Sequence, residues 1–124
     1  MKINAKKYFG INKATEVTVT NRINTLARHV QIGMLESQDT EAEITVLDRL
    51  KNEEKLNTEV KDFLRTVMKY SDKQMEQIDN NLSTEKLGEG IGYLIMRLSG
   101  MSDHDIDLNE QKERKAIEDA KSSK

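Results

Sequence analysis

The chain has 124 residues and a formal charge of −2; 34% of its residues are charged and 35% hydrophobic, with three tyrosines, two phenylalanines and no cysteine. That length suits one domain with a thin core, and the absence of cysteine excludes disulfides, thiolate metal sites and cysteine nucleophiles. With no apolar run of about 18 residues, and no apolar stretch in the opening MKINAKKYFG, a soluble cytoplasmic protein without membrane contact is expected.

The charge is unevenly placed. Up to Leu35 six basic residues (Lys2, Lys6, Lys7, Lys13, Arg22, Arg28) face one acid, Glu16, whereas 14 bases meet 21 acids from Glu36 onward. Such asymmetry suits contact with nucleic acid, head-to-tail contact between copies, an acidic partner, or an ordinary solvated surface.

In chain order, residues 1–19 read as an extended arm. EVTVT favours a short strand, while KYFGI places a glycine after two aromatics without helical period. The arm either folds back on its own bundle or pairs with another chain. Residues 20–108 read as an all-α domain, a small multi-helix bundle. Ile23, Leu26, Ala27, Val30 and Met34 share one face of a helix from about Thr20 to Glu36. Thr40 and Glu43 are spaced as a capping box opening a helix that buries Ile44, Leu47 and Leu50. A further helix carries Val60, Phe63, Leu64 and Val67 on one stripe. Ser71 and Gln74 make a second capping box before Met75, Ile78 and Leu82.

The stretch LGEGIGYLIMRLSGMSDHDID, residues 87–107, holds two patterns that resemble ligand loops. A dinucleotide loop needs G-x-G-x-x-G directly after a strand. Gly88, Gly90 and Gly92 have the wrong third spacing and follow NLSTEK, which is no strand. Leu87, Ile91, Leu94 and Leu98 step by four, three and four through those glycines, so a buried helix is expected, with Gly88 and Gly92 allowing close approach of another backbone. Asp103, Asp105 and Asp107 match the start of a calcium loop, but Leu108 and Arg114 stand where its glycine and bidentate glutamate belong. Ser102 with Asp103 and Asp105 reads instead as a helix cap. His104 and His29 are far apart in sequence and make a poor zinc or acid–base pair. No nucleophile elbow, Ser-x-x-Lys motif or Walker loop is present, so neither an enzyme nor a cofactor or metal is expected. Residues 109–124 form a charged tail with one large apolar residue, Ile117; Glu110 and Arg114 are spaced for a helical i,i+4 pair, but a single apolar residue is a weak anchor, and the end reads as frayed and flexible.

An amphipathic helix followed by Gly-Met-Ser and an acidic cap, in a mostly helical, cysteine-free chain of this size, resembles the tail assembly chaperones of long-tailed phages of Gram-positive bacteria. The resemblance is strongest over residues 84–108. It implies a non-structural factor of the host cytoplasm that binds the tape measure protein, keeps it soluble, and helps tail tube subunits assemble around it. In many members a translational frameshift adds a C-terminal extension. No family binding residue transfers to a numbered position. From the residues themselves, Tyr93 and Met96 at the edge of the helical seam, or Tyr8 and Phe9 on the arm, are the candidate partner contacts. Met34, Met68, Met75, Met96 and Met101 serve either as core filling or as adaptable client contacts. Self-association is expected from the thin core and exposed seams. The alternative reading is a small DNA-binding regulator, with GINKATEVTVTNRINTLARHV as turn and recognition helix and Arg22 and Arg28 on phosphates.

Overall fold

The computed structural model describes residues 1–38 and 44–122. Over these the chain is mostly helical, with six helices and one two-stranded sheet. Strand β1 (Lys2–Asn4) pairs antiparallel with β2 (Ala14–Glu16), Ile3 opposite Thr15. Between them lies the one-turn helix α1 (Lys6–Phe9), ended by Gly10 in the left-handed region at φ 73.

Alternation along the strands turns Ile3 and Thr15 inward, and both are buried. The Thr15 hydroxyl donates to the Met68 carbonyl at 3.0 Å, which satisfies that buried polar group. The N-terminal segment therefore folds back on its own bundle, and Ile3, Ala5, Phe9, Ile11 and Val17 belong to the core. In a chain with so few apolar residues, burying these five is what completes it.

Helix α2 (Asn21–Gln38) and helix α3 (Val46–Val67) form an antiparallel hairpin. His29 and Glu36 line one recess with Glu59 and Asn52 of the facing helix. Near the hairpin's root Val30, Val60, Phe63 and Leu64 are buried. The two helices expected over residues 44–50 and 60–67 are one helix of 22 residues. Its cap is Thr45, whose hydroxyl accepts from the Asp48 amide at 3.1 Å; the Thr40–Glu43 pair lies outside the described residues.

Ile44, Leu47 and Leu50 are not buried as the sequence predicts. They are 39%, 60% and 56% exposed. Val46, Leu47 and Leu50 sit roughly 100° around the helix axis from the stripe of Leu56, Val60, Phe63 and Val67, so α3 cannot turn both sets toward α2.

Helix α4 (Asp72–Asn81) opens with the expected capping box: the Ser71 hydroxyl accepts from the Gln74 amide at 3.2 Å, and the Gln74 side chain accepts from the Ser71 amide at 2.9 Å. Helix α5 (Thr84–Leu98) is capped by Ser83 and runs through all three glycines of the quoted stretch. It ends in a Schellman turn, in which the Met101 amide bonds the Met96 carbonyl and the Gly100 amide the Arg97 carbonyl, with Gly100 at φ 105. Helix α6 (Asp103–Ser122) then starts on a reciprocal cap between Ser102 and Asp105. Those hydrogen bonds hold the Asp105 carboxyl below its ordinary range. No helix among the described residues is long and apolar enough to cross a membrane.

The seam of Leu87, Ile91, Leu94 and Leu98 faces the core as expected, Ile91 and Leu94 completely. The close approach, however, is not at Gly88 or Gly92. A Cβ on Gly88 would meet only the Met34 methyl at 3.9 Å, and one on Gly92 would meet nothing within 4 Å. A Cβ on Gly90 would lie 2.5 Å from Phe9 Cζ. That ring is 4% exposed, so a methyl there forces it to shift within a packed site. Gly90→Ala should therefore destabilise the protein by about 1–2 kcal/mol through overpacking, whereas Gly92→Ala should stabilise it by up to about 1 kcal/mol through helix propensity alone. Urea denaturation of both variants checks this pair, and equal effects would show that Phe9 does not rest on Gly90.

Candidate functional site

Helix α1 delivers two aromatic rings side by side onto α5. Phe9 enters over Gly90 and meets Tyr70 edge-on, with centroids 6.1 Å apart at 77°. Tyr8 stacks on Tyr93 at 4.4 Å and 21°, a geometry in which offset rings attract.

Both stacked tyrosines are held from α6. The Tyr93 hydroxyl donates to Asp103 Oδ1, and the Tyr8 hydroxyl donates to Glu110 Oε1 at 2.9 Å. Lys7 stands 3.5 Å from Glu110 and 3.7 Å from Asp107. These ion pairs are largely exposed and add little by themselves.

Arg97 sits behind this pair and ties three elements together. It donates to the Lys2 carbonyl of β1 at 3.0 Å and to the Met101 carbonyl at 3.1 Å. Its Nε faces Asp103 Oδ1 at 3.5 Å, an ion-pair approach without hydrogen-bond alignment.

Beside the stack lies an open groove of about 820 Å³ between α1, the end of α4, α5 and α6. Phe9, Leu82 and Met96 give it an apolar floor, and Lys6, Lys86, Glu89 and Arg114 a rim of both charges. Of the residues singled out from sequence, Tyr8, Phe9 and Met96 meet in this groove although they come from opposite ends of the chain. Tyr93 is not at the edge of the seam. It is 5% exposed, covered by Tyr8, because α1 lies across the face that the helix alone leaves open.

The chain matches the family model for phage tail assembly chaperone proteins over residues 1–115. It belongs to that family. No curated protein and no solved structure matches it. The groove and its tyrosine pair are thus features of a tail assembly chaperone.

The ligand-loop patterns of this chaperone have structural explanations. The glycines lie inside α5, and the aspartates cap and flank the start of α6. Among the described residues no group of three or more His, Cys, Asp or Glu is placed to share a metal. His29 and His104 lie on α2 and α6. Nor does a helix-turn-helix form around α2: strand β2 precedes it, and α1 is a single turn of four residues. The methionines divide, Met68 and Met75 being core, while Met34, Met96 and Met101 are half-buried against it.

Sequence reasoning missed Arg97, Asp103 as its partner, and Glu110. One signal was available: Arg97 is the lone charge in YLIMRLSGM, the most apolar stretch of the chaperone, and a charge there needs partners.

Burial, then the Glu110 hydrogen bond and charge, pushes the Tyr8 hydroxyl up to about 12. Burial alone raises Tyr70 to about 12, and burial followed by the Asp103 hydrogen bond raises Tyr93 as well. Because these values exceed the ordinary 10.0, the stability they contribute is complete below pH 10 and is lost as pH rises toward about 12. Tyrosinate absorbance should therefore appear together with loss of helical circular dichroism. Titration near pH 10 with the helix signal intact would mean that at least one ring is open to water.

Proposed function

We propose that the client of this chaperone is the tape measure protein, received as an amphipathic helix in the groove beside Tyr8. What carries the reading is the groove's make-up in a chain of this family: an apolar floor of Phe9, Leu82 and Met96 inside a rim of mixed charge. An apolar stripe flanked by charges is what such a client helix presents. Holding that stripe keeps the long client from aggregating until tail tube subunits assemble around it. The work takes place in the host cytoplasm, before the tail is complete.

Self-association belongs to the same proposal. Leu35, Val46, Leu47 and Leu50 are 69%, 76%, 60% and 56% exposed where α2 ends and α3 begins. So many open apolar residues at one end of a helical hairpin favour contact between copies. Since the contact is apolar, assembly measured by light scattering should persist at high salt. It should be lost in Leu47→Glu/Leu50→Glu with helix content unchanged; an unaltered mass would remove this part of the proposal.

The client reading is tested by co-expression with the tape measure protein. The chaperone should raise the soluble yield of the client and co-purify with it. Met96→Lys, on the groove floor, should cut that yield severalfold while shifting the melting temperature by only a few degrees. Phe9 and Tyr93 are too deeply packed to serve, because their loss would unfold the site itself. A client that stays soluble and bound with Met96→Lys would place capture elsewhere.

A further inference from the structure

Helix α6 is attached differently from the other long helices. Of its residues up to Lys115 only Ile106 is buried, at 1% exposure, and Leu108 remains 40% exposed. Over the same described residues its other attachments are the polar contacts of Asp103, Asp107 and Glu110 with Tyr93, Arg97, Lys7 and Tyr8. The large buried side chains Ile3, Val30, Phe63, Leu64, Ile78 and Leu94 all belong to other elements. Over its described side chains, α6 gives the core Ile106 alone. The joint at its root, where Gly100 takes φ 105, is short and lies outside both helices.

Residues 103, 106, 107 and 110 step by three, one and three, which places them on one helix face. That face is amphipathic: one apolar residue with a carboxylate a turn before it and another a turn after. The surface it meets is complementary, with two tyrosine hydroxyls, Arg97 and Lys7 for the carboxylates.

We propose that α6 is the resident occupant of a helix-binding site, displaced by a client helix that repeats its pattern of carboxylate, apolar residue and carboxylate at these spacings. This rests on the client-binding reading above and gives it a recognition rule. The occupant is identified by α6 itself, since a helix that satisfies Tyr93, Arg97, Lys7 and Tyr8 must present acids where Asp103 and Glu110 stand. The present groove, already walled by Glu110 and Arg114, holds one face of a helix. Departure of α6 opens the tyrosine stack and the seat of Ile106 beside it. The arrangement also shields the apolar seat while no client is present.

The test uses the full chain and a synthetic peptide with the sequence of residues 102–115. Hydrogen exchange should show α6 amides losing protection when the peptide is added, while amides of α2 and α3 keep theirs. Ile106→Ala in the full chain frees the seat, so the peptide should bind that variant about tenfold more tightly than the wild type, because the competing occupant is weakened. Asp103→Asn/Glu110→Gln should act in the same direction without touching an apolar residue, which covers the case in which Ile106→Ala fails to fold. A peptide carrying aspartate in place of its isoleucine should not bind. Equal binding to wild type and variants, or none to any, overturns the proposal. If the tape measure protein co-purifies while α6 amides stay protected, the groove remains the client site and displacement of α6 is wrong. If the peptide displaces α6 but the tape measure protein is ignored, the site stands and its client is another acidic amphipathic helix.

Discussion

The seat of Phe9 over Gly90 is the contact on which the rest of the architecture turns. A hydrogen in place of a methyl at one position of α5 lets an aromatic ring lie directly on a helix backbone. With the ring there, α1 lies across α5, Tyr8 falls onto Tyr93, and the Thr15 hydroxyl reaches the end of α3. Ile3, Ala5, Ile11 and Val17 enter the same core from the hairpin that carries Phe9. Three glycines weaken α5 as an isolated helix. Only one of them is explained by packing; Gly92 faces open space, and nothing in the structure accounts for it.

A thin core distributes its burial unevenly, and the proposed contact surfaces lie where that burial is least. The apolar side chains available are concentrated where α5, the root of the α2–α3 hairpin, α4 and the N-terminal segment meet. Along the hairpin lies a recess of mixed lining, and where α2 ends and α3 begins Leu35, Val46, Leu47 and Leu50 are open. Up to Lys115, α6 is held by Ile106 and by hydrogen bonds and ion pairs. Elements held by few buried apolar contacts open at lower free energy than the core does. Under the proposals above, partner exchange takes place at these two weakly buried regions.

Arg97 shows how a single charge links these parts. It reaches the first strand, the turn after α5 and the first residue of α6, so one guanidinium touches all three. The planar group suits this role because its donors point in several fixed directions at once.

Local chemistry was readable from the sequence. The helical period of Ile23 to Met34, the stripe of Val60 to Val67, the Ser71–Gln74 box, the seam through the glycines and the Ser102 cap each depend on residues within a few positions of one another, and each stands in the structure. The resemblance carried by residues 84–108 belongs with these. What the sequence alone did not decide is every feature set by residues distant in the chain. It left open whether the N-terminal segment folds home or joins another copy, because its apolar residues fit either surface. It suggested Gly88 and Gly92 for close approach because they share a helix face, whereas Gly90 is singled out only by Phe9, some 80 residues away. It buried Leu47 and Leu50, because spacing shows that residues share a face but not whether a neighbour covers it. The groove, the tyrosine stack and the reach of Arg97 exist only once α1, α5 and α6 are assembled, and long-range contacts of that kind are written in shape and direction rather than in period.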